Sequence, residues 1–124
     1  MNDFIKDVLN GKANEDDIYR HFGATVIPHK RSYQMVRGLT ADDTRFHSLL
    51  RVLSSISESI LFSKYVLPDA QWAISKGKVS KDEPTYCVRF YSQGEDPQLI
   101  SGSESDDLCR CFMASLIEAW DATP

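Results

Sequence analysis

The stretch from Thr40 to Trp120 limits the possible folds most strongly, because two amphipathic helical patterns enclose three short runs of strand-like alternation. An amphipathic element is stable when its apolar face packs against another element. Brief connections between successive strands favour antiparallel neighbours. The order therefore predicts an α+β fold, in which a small, mainly antiparallel sheet of three or four strands packs against two long helices, with a short helical N-terminal extension.

The first long helix is predicted over residues 41–64. Thr40 occupies the N-cap position, and Asp43 stands three residues later, as in a capping box. Pro68 ends the pattern. Leu53 lies at the centre of the apolar stripe and is expected in the core. The stripe consists of Phe46, Leu49, Leu50, Leu53, Ile56, Ile60 and Leu61.

The second long helix is predicted over residues 104–120, with Ser103 as its N-cap and Asp106 at the capping-box position. Phe112 is central in its apolar surface, so we expect this ring in the core and expect its truncation to be costly. The apolar surface consists of Leu108, Cys109, Phe112, Met113, Leu116, Ile117 and Trp120.

Three strands are predicted between the two helices. The first places Trp72 and Ile74 on one face. The second covers residues 86–91, and turn-forming residues at 93–97 separate it from a short third strand at 98–101. On the second strand, the residues predicted to share one face are Tyr86, Val88 and Phe90.

Residues 1–39 are predicted to be an N-terminal helical extension and connector, and residues 40–124 to be the helix–strands–helix domain. Two short helices are expected in the extension. One ends at Gly11, and the other begins at the N-cap Asn14 and ends at Gly23. Helices this short are not stable alone, so both must dock on something. The rest of the extension is interpreted as a linker or an added edge strand.

The three cysteines are predicted to be reduced and structural. Cys109 and Cys111 stand two apart on a predicted helix, roughly 200° around its axis, so their thiols point to opposite sides. Cys87 lies within a predicted strand. An odd number of cysteines without metal-ligand spacing is typical of structural thiols. We therefore expect no intramolecular disulfide.

The formal net charge of −4 is distributed unevenly along the chain. Residues 1–24 sum to −2, residues 25–64 to +3 and residues 65–124 to −5. A basic middle between acidic ends favours charge-steered association with another protein. An acidic chain argues against nonspecific binding of nucleic acid. No apolar run has the length of a membrane span, and the first residues lack the pattern of a signal peptide.

One polar feature predicts a binding surface. It is a basic, partly aromatic segment in a region without regular periodicity, and we call it the basic stretch. Such a surface can dock a protein partner or an anionic ligand, and connecting segments often carry function because a rigid body positions them. The alternative is a solvated connector. The residues predicted to contribute to binding are His29, Lys30, Arg31, Tyr33 and Arg37.

Three runs carry a resemblance to a known family. Leu67-Pro68 follows the predicted long helix, Trp72 lies in the first strand, and Leu108-Cys109-Arg110 follows an acidic helix start. With these runs, residues 41–120 resemble the phage ABA sandwich domain, a family of small bacteriophage and prophage proteins. The resemblance covers about two-thirds of the chain. It implies a fold and a phage setting, and the family has no common activity to carry over.

The sequence contains no phosphate-binding loop or nucleophile motif, and its three histidines are too scattered for metal-ligand spacing. We therefore expect no metal, no cofactor and no enzymatic activity. The phage setting predicts a cytoplasmic accessory protein that binds a host protein in the bacterial cell, with inhibition of a defence system as one version. Two alternatives are a module that binds a small anionic ligand, such as a nucleotide signal, and an immunity protein that neutralises a toxin. A homo-oligomer is left open.

Overall fold

The computed structural model describes residues 2–27, 32–35, 44–46, 51–78, 84–92 and 94–123. Strands β1, β2 and β3 form one antiparallel sheet in that order, and β4, β5 and β6 form a second. The predicted α+β class is confirmed. The elements in chain order are α1 (Asp3–Leu9), α2 (Glu15–His21), β1 (Ala24–Ile27), β2 (Ser32–Met35), β3 (Thr44–Phe46), α3 (Ile56–Val66), β4 (Gln71–Lys78), β5 (Pro84–Tyr91), β6 (Leu99–Ser105) and α4 (Leu108–Ala122).

The sheet of β4, β5 and β6 packs one face against α4. In its central strand, Val88 and Phe90 are fully buried, whereas Arg89 between them is exposed. Alternate side chains of a strand point to opposite faces. The predicted alternation in this strand is therefore confirmed, and β5 places its apolar residues under the helix.

Phe112 of α4 lies at the centre of the contact between helix and sheet. Its side chain is fully buried. The ring centroid is 5.3 Å from that of Phe90 and 5.5 Å from that of Trp72, with edge-to-face geometry in both pairs. Aromatic rings favour this arrangement because the positive edge of one meets the negative face of the other. The expected core position of Phe112 is confirmed.

The boundary between β6 and α4 differs from the sequence prediction. β6 continues to Ser105 and α4 begins at Leu108, so Ser103 lies in a strand. The true N-cap is Asp107, whose carboxylate accepts a hydrogen bond from the backbone N–H three residues later at 3.1 Å. Both Ser103 and Asp107 are residue types that favour the N-cap position of a helix. Pairing with β5 decides between them, because Ser101 and Ser103 are buried on the helix side of the sheet.

The first long helix is shorter than predicted. α3 begins after the N-cap Ser55, whose hydroxyl accepts a hydrogen bond from the Glu58 backbone N–H at 3.4 Å. Residues 44–46 pair with β2 as a strand, and residues 51–55 form a turn that ends at the N-cap, so the helix predicted over 41–64 is wrong at these positions. The predicted cap Thr40 lies outside the described residues. Strand pairing overrides the local apolar spacing here, as tertiary context often does.

The buried face of α3 is also rotated away from the predicted stripe. Leu61 is 41% exposed, and Leu53 lies in the turn before the helix, only partly buried against the core. Serine can face the core because its hydroxyl finds a main-chain acceptor: Ser59 donates to the Val52 carbonyl at 2.6 Å. The buried residues of α3 are Ser59, Phe62, Ser63 and Val66.

The two short N-terminal helices match the prediction. Asn2 caps α1, and Asn14 caps α2 through a capping box with Asp17. Gly11 and Gly23 follow the helices with φ of 80°, a left-handed conformation that glycine adopts without steric cost. Both helices dock on the rest of the molecule. Their side chains in the common core are Ile5, Val8, Ile18, Tyr19 and Phe22.

Candidate binding site

The basic stretch falls mostly outside the part of the chain that the structure describes. Tyr33 lies in β2, paired with β1 and β3, and its side chain is not among those described. The contribution of the basic stretch to binding therefore stays a prediction. The members that lie outside the described residues are His29, Lys30, Arg31 and Arg37.

An apolar cavity of about 280 Å³ opens at one end of the sheet formed by β4, β5 and β6. It lies where α3, β5 and α4 end and where β4 and β6 begin. Strands β5 and β6 and the segments that follow α3, β5 and α4 contribute to its wall, and we call it the end cavity. Its lining residues are Leu67, Pro68, Asp69, Ala70, Tyr91, Ser92, Ile100 and Thr123.

A tight turn after α3 forms one wall of the end cavity. The helix ends at Val66, and Pro68 cannot continue it because proline has no N–H to donate. The Ala70 N–H instead donates to the Leu67 carbonyl at 3.2 Å, which reverses the chain and leads into β4. The turn thus brings apolar side chains of the connection to the end of the sheet.

A bulge between β5 and β6 forms another part of the wall. Phe90 pairs with Ser101, but the next residue, Tyr91, pairs with Leu99, so Ile100 has no partner across the ladder. An extra residue of this kind bends its strand and locally increases the twist. The bulge thus interrupts the regular pairing of β5 with β6 at the point where Tyr91 and Ile100 line the cavity.

The polar side chains that line the end cavity differ in whether they have hydrogen-bond partners within the protein. The Thr123 hydroxyl donates to the Ala119 carbonyl at 2.8 Å, and the Ser92 hydroxyl accepts from the Gln98 backbone N–H at 2.9 Å. Asp69, which is exposed, makes no hydrogen bond or ion pair with another described residue. The end cavity therefore combines a mainly apolar wall with one carboxylate that is free to bind.

Leu99 lies beside the cavity wall, because it pairs with Tyr91, which lines the cavity. It is 60% exposed and precedes Ile100 of the cavity wall. Leu61 on α3 is the other large hydrophobic side chain that is exposed among the described residues, and it does not line the cavity. A single exposed leucine is ordinary on a protein surface. An exposed leucine beside an apolar cavity is more informative, because contiguous apolar surface is typical of interaction sites.

Two wider clefts, of about 490 and 500 Å³, surround the loop between α1 and α2. Two of their polar side chains, Arg110 and His21, are already used within the protein. Arg110 donates to the carbonyls of Val8 and Ala13 at 2.8 and 3.2 Å. His21 contacts the Asp121 carboxylate at 2.8 Å. These groups hold the helical hairpin against α4, so the clefts are weaker candidates for a binding site than the end cavity.

The surroundings of the cysteine side chains are typical of structural, unreactive thiols. Cys111 is buried, and its sulfur lies 3.1 Å from the Ser103 carbonyl, whereas Cys109 and Cys87 are partly buried. Burial raises the pKa of the Cys111 thiol to about 11, and burial with the nearby Asp107 charge raises the pKa of Cys109. A protonated thiol is a poor nucleophile and metal ligand. The cysteines are free, as predicted.

The shifted thiol predicts a pH dependence of stability. Between the ordinary pKa of 9.0 and about 11, Cys111 keeps its proton in the folded state and loses it in the unfolded chain. The free energy of unfolding should therefore fall as pH rises through this window, by on the order of 2 kcal/mol from this group. Urea unfolding under reducing conditions, at pH 8.5 and pH 11, checks this. Cys111→Ala should lose less stability over the interval, and an equal loss would contradict the assignment.

Further features of the described residues bear on function. No helix among them is both long and apolar enough to cross a membrane. Within the same ranges, no group of three His, Cys, Asp or Glu side chains is placed to hold a metal ion. No family model, curated protein or solved structure matches the chain. The end cavity therefore has to be interpreted from its own geometry.

Proposed function

We propose that this protein is a phage-type accessory protein that acts by binding a protein of the bacterial host. The phage setting comes from the resemblance of residues 41–120 to the phage ABA sandwich domain. Inhibition of a host defence system is the version that fits this setting. The binding activity is supported by a separate observation: the exposed Leu99 pairs with Tyr91 of the apolar end cavity.

The location of this surface favours a macromolecular partner. The cavity is at or below the lower limit of about 300 Å³ that is typical of pockets for drug-sized molecules. Leu99, next to it, projects an apolar side chain into solvent with 60% of its surface exposed. A partner that covered Leu99 and filled the cavity would remove both from water. Fully burying one leucine is worth about 1.5–3 kcal/mol, enough for this residue to matter in an interface.

A pull-down with matched variants tests the proposal. The tagged protein is incubated with lysate of the bacterial host, and retained proteins are quantified by mass spectrometry. Leu99→Asp should reduce capture of the partner by about tenfold or more, because it places a charge in the apolar contact. Leu61→Asp is the matched control, since Leu61 is an exposed leucine outside the cavity wall.

Both variants should keep the melting temperature of the unchanged protein within a few degrees, because surface substitutions usually change stability by less than about 0.5 kcal/mol. Two results would contradict the proposal. One is that no host protein is retained reproducibly. The other is that Leu99→Asp captures the partner as well as Leu61→Asp does.

A further inference from the structure

We propose that the end cavity receives a lysine or arginine side chain of the protein partner, with the aliphatic stem inside the cavity and the cationic group beside Asp69. The inference rests on the proposed function and names the partner chemistry of the same site. It is carried by the juxtaposition of a small apolar cavity, one free carboxylate and the C-terminal ends of two helices.

The charges around the cavity favour a cation. Asp69 has no counter-charge among the described residues. The C-caps of α3 and α4, Leu67 and Thr123, both line the cavity. The C-terminal end of a helix carries partial negative charge on its free carbonyl groups. The approach of a cation to this place is therefore favoured by three sources of negative potential.

Among the described residues, no cation fills this role. The last turn of α4 contains no basic residue. The last turn of α3 contains Lys64, but this side chain is exposed and does not line the cavity. His21 contacts Asp121 near the end of α4, which directs that imidazole to another carboxylate. Within the part of the chain that the structure describes, the negative potential at the cavity thus has no cation beside it, and we infer that an outside group supplies one.

The size and lining of the cavity favour one long side chain. Its volume of about 280 Å³ suits a single side chain better than a larger molecule. Leu67, Ala70 and Ile100 supply apolar wall. Lysine and arginine bury their methylene stems against apolar surface while the charged group stays near water, and Asp69 is an exposed member of the cavity lining. A purely aliphatic side chain would leave the carboxylate unused, and an acidic one would be repelled by it.

Chemical-shift titration with blocked amino acids tests this directly. The probes are the N-acetyl methylamides of lysine, arginine, norleucine and glutamate. The lysine and arginine probes should shift the backbone amide signals of Asp69, Ala70, Tyr91 and Ile100 in a saturable manner. Norleucine, which has an aliphatic chain without the charge, should bind more weakly, and glutamate should produce no saturable shift.

Two isosteric variants give the matched comparison. Asp69→Asn should weaken binding of the lysine probe by up to about fivefold, as expected for loss of one exposed ion pair. Asp106→Asn should leave it unchanged, because Asp106 is an exposed carboxylate beyond the far end of β6. Equal binding of lysine and norleucine, unchanged affinity in Asp69→Asn, or no saturable shift by either cationic probe would overturn the inference.

The pull-down separates failure of this inference from failure of the proposed function. If the partner is retained by the unchanged protein and equally by Asp69→Asn, while Leu99→Asp loses it, then the surface binds a partner without a cation in the cavity. If no partner is retained but the lysine probe binds in an Asp69-dependent manner, then the cavity is a site for free amines and the partner-derived cation is refuted.

Discussion

Replacement of Phe112 by alanine is expected to lower the free energy of unfolding by about 3–5 kcal/mol, the range for removal of a buried aromatic ring. The ring is fully buried and makes edge-to-face contacts with Trp72 and Phe90. Its loss would leave a cavity between α4 and the sheet. Urea denaturation followed by circular dichroism measures the change.

A conservative variant at the same position provides the control. Phe112→Leu keeps most of the apolar volume and should cost less than about 1.5 kcal/mol. If Phe112→Ala lost under 1 kcal/mol, or lost no more than Phe112→Leu, then the packing of α4 on the sheet would be different from that described here.

Replacement of Arg110 by methionine is expected to cost about 2–3 kcal/mol, because hydrogen bonds from a charged donor contribute more than neutral ones. The guanidinium group donates to the carbonyls of Val8 and Ala13 and is 3.8 Å from the Asp107 carboxylate. Methionine keeps an apolar stem of similar length but cannot donate. The carbonyl groups of Val8 in α1 and of Ala13 in the following loop would lose these bonds, so α1 should detach more easily.

Denaturation and hydrogen exchange together check the role of Arg110. Amides of α1 should exchange faster in Arg110→Met than in the unchanged protein, whereas those of β5 should show only the effect of global destabilisation. Arg89→Met is the matched control, because Arg89 is exposed on the open face of the sheet and should change stability by less than about 0.5 kcal/mol. Equal stability of the two variants would contradict the structural role of Arg110.

The sequence predicts best where local chemistry decides the structure. Asn14 with Asp17, followed by Gly23, is enough to place α2, because capping and the left-handed glycine are local preferences. The alternation around Val88 is enough to place β5 with one face buried. Each of these predictions uses residues that lie close together in the sequence.

Prediction fails where distant parts of the chain decide. Phe46 continues a helical spacing but belongs to β3, because its backbone pairs with β2. Ser59 has a polar side chain and yet faces the core, because its hydroxyl donates a hydrogen bond to the Val52 carbonyl. Ser103 has the chemistry of a helix cap and is drawn into β6 by pairing with Val88. These outcomes depend on tertiary partners that spacing along the chain does not reveal.

In the candidate site, too, local sequence predicts one part of the structure and distant contacts decide the rest. Leu67-Pro68 marks the end of a helix in the sequence, and this break does form one wall of the end cavity. The cavity itself depends on the bulge at Ile100 and on the end of α4 at Thr123 reaching the same place. Neither is visible as a motif. The sequence directs attention to the basic stretch instead, because a run of charged residues can be recognised from the sequence without knowledge of the fold.

Hydrogen–deuterium exchange of the protein, alone and with its captured host partner, tests the central claim most directly. Binding at the end cavity and Leu99 should slow exchange at residues 69–70, 91–92 and 99–100, while α1 stays unchanged. Protection confined to the basic stretch or to the N-terminal helices, with these three segments exchanging as in the free protein, would contradict the claim that this end of the sheet is the binding surface.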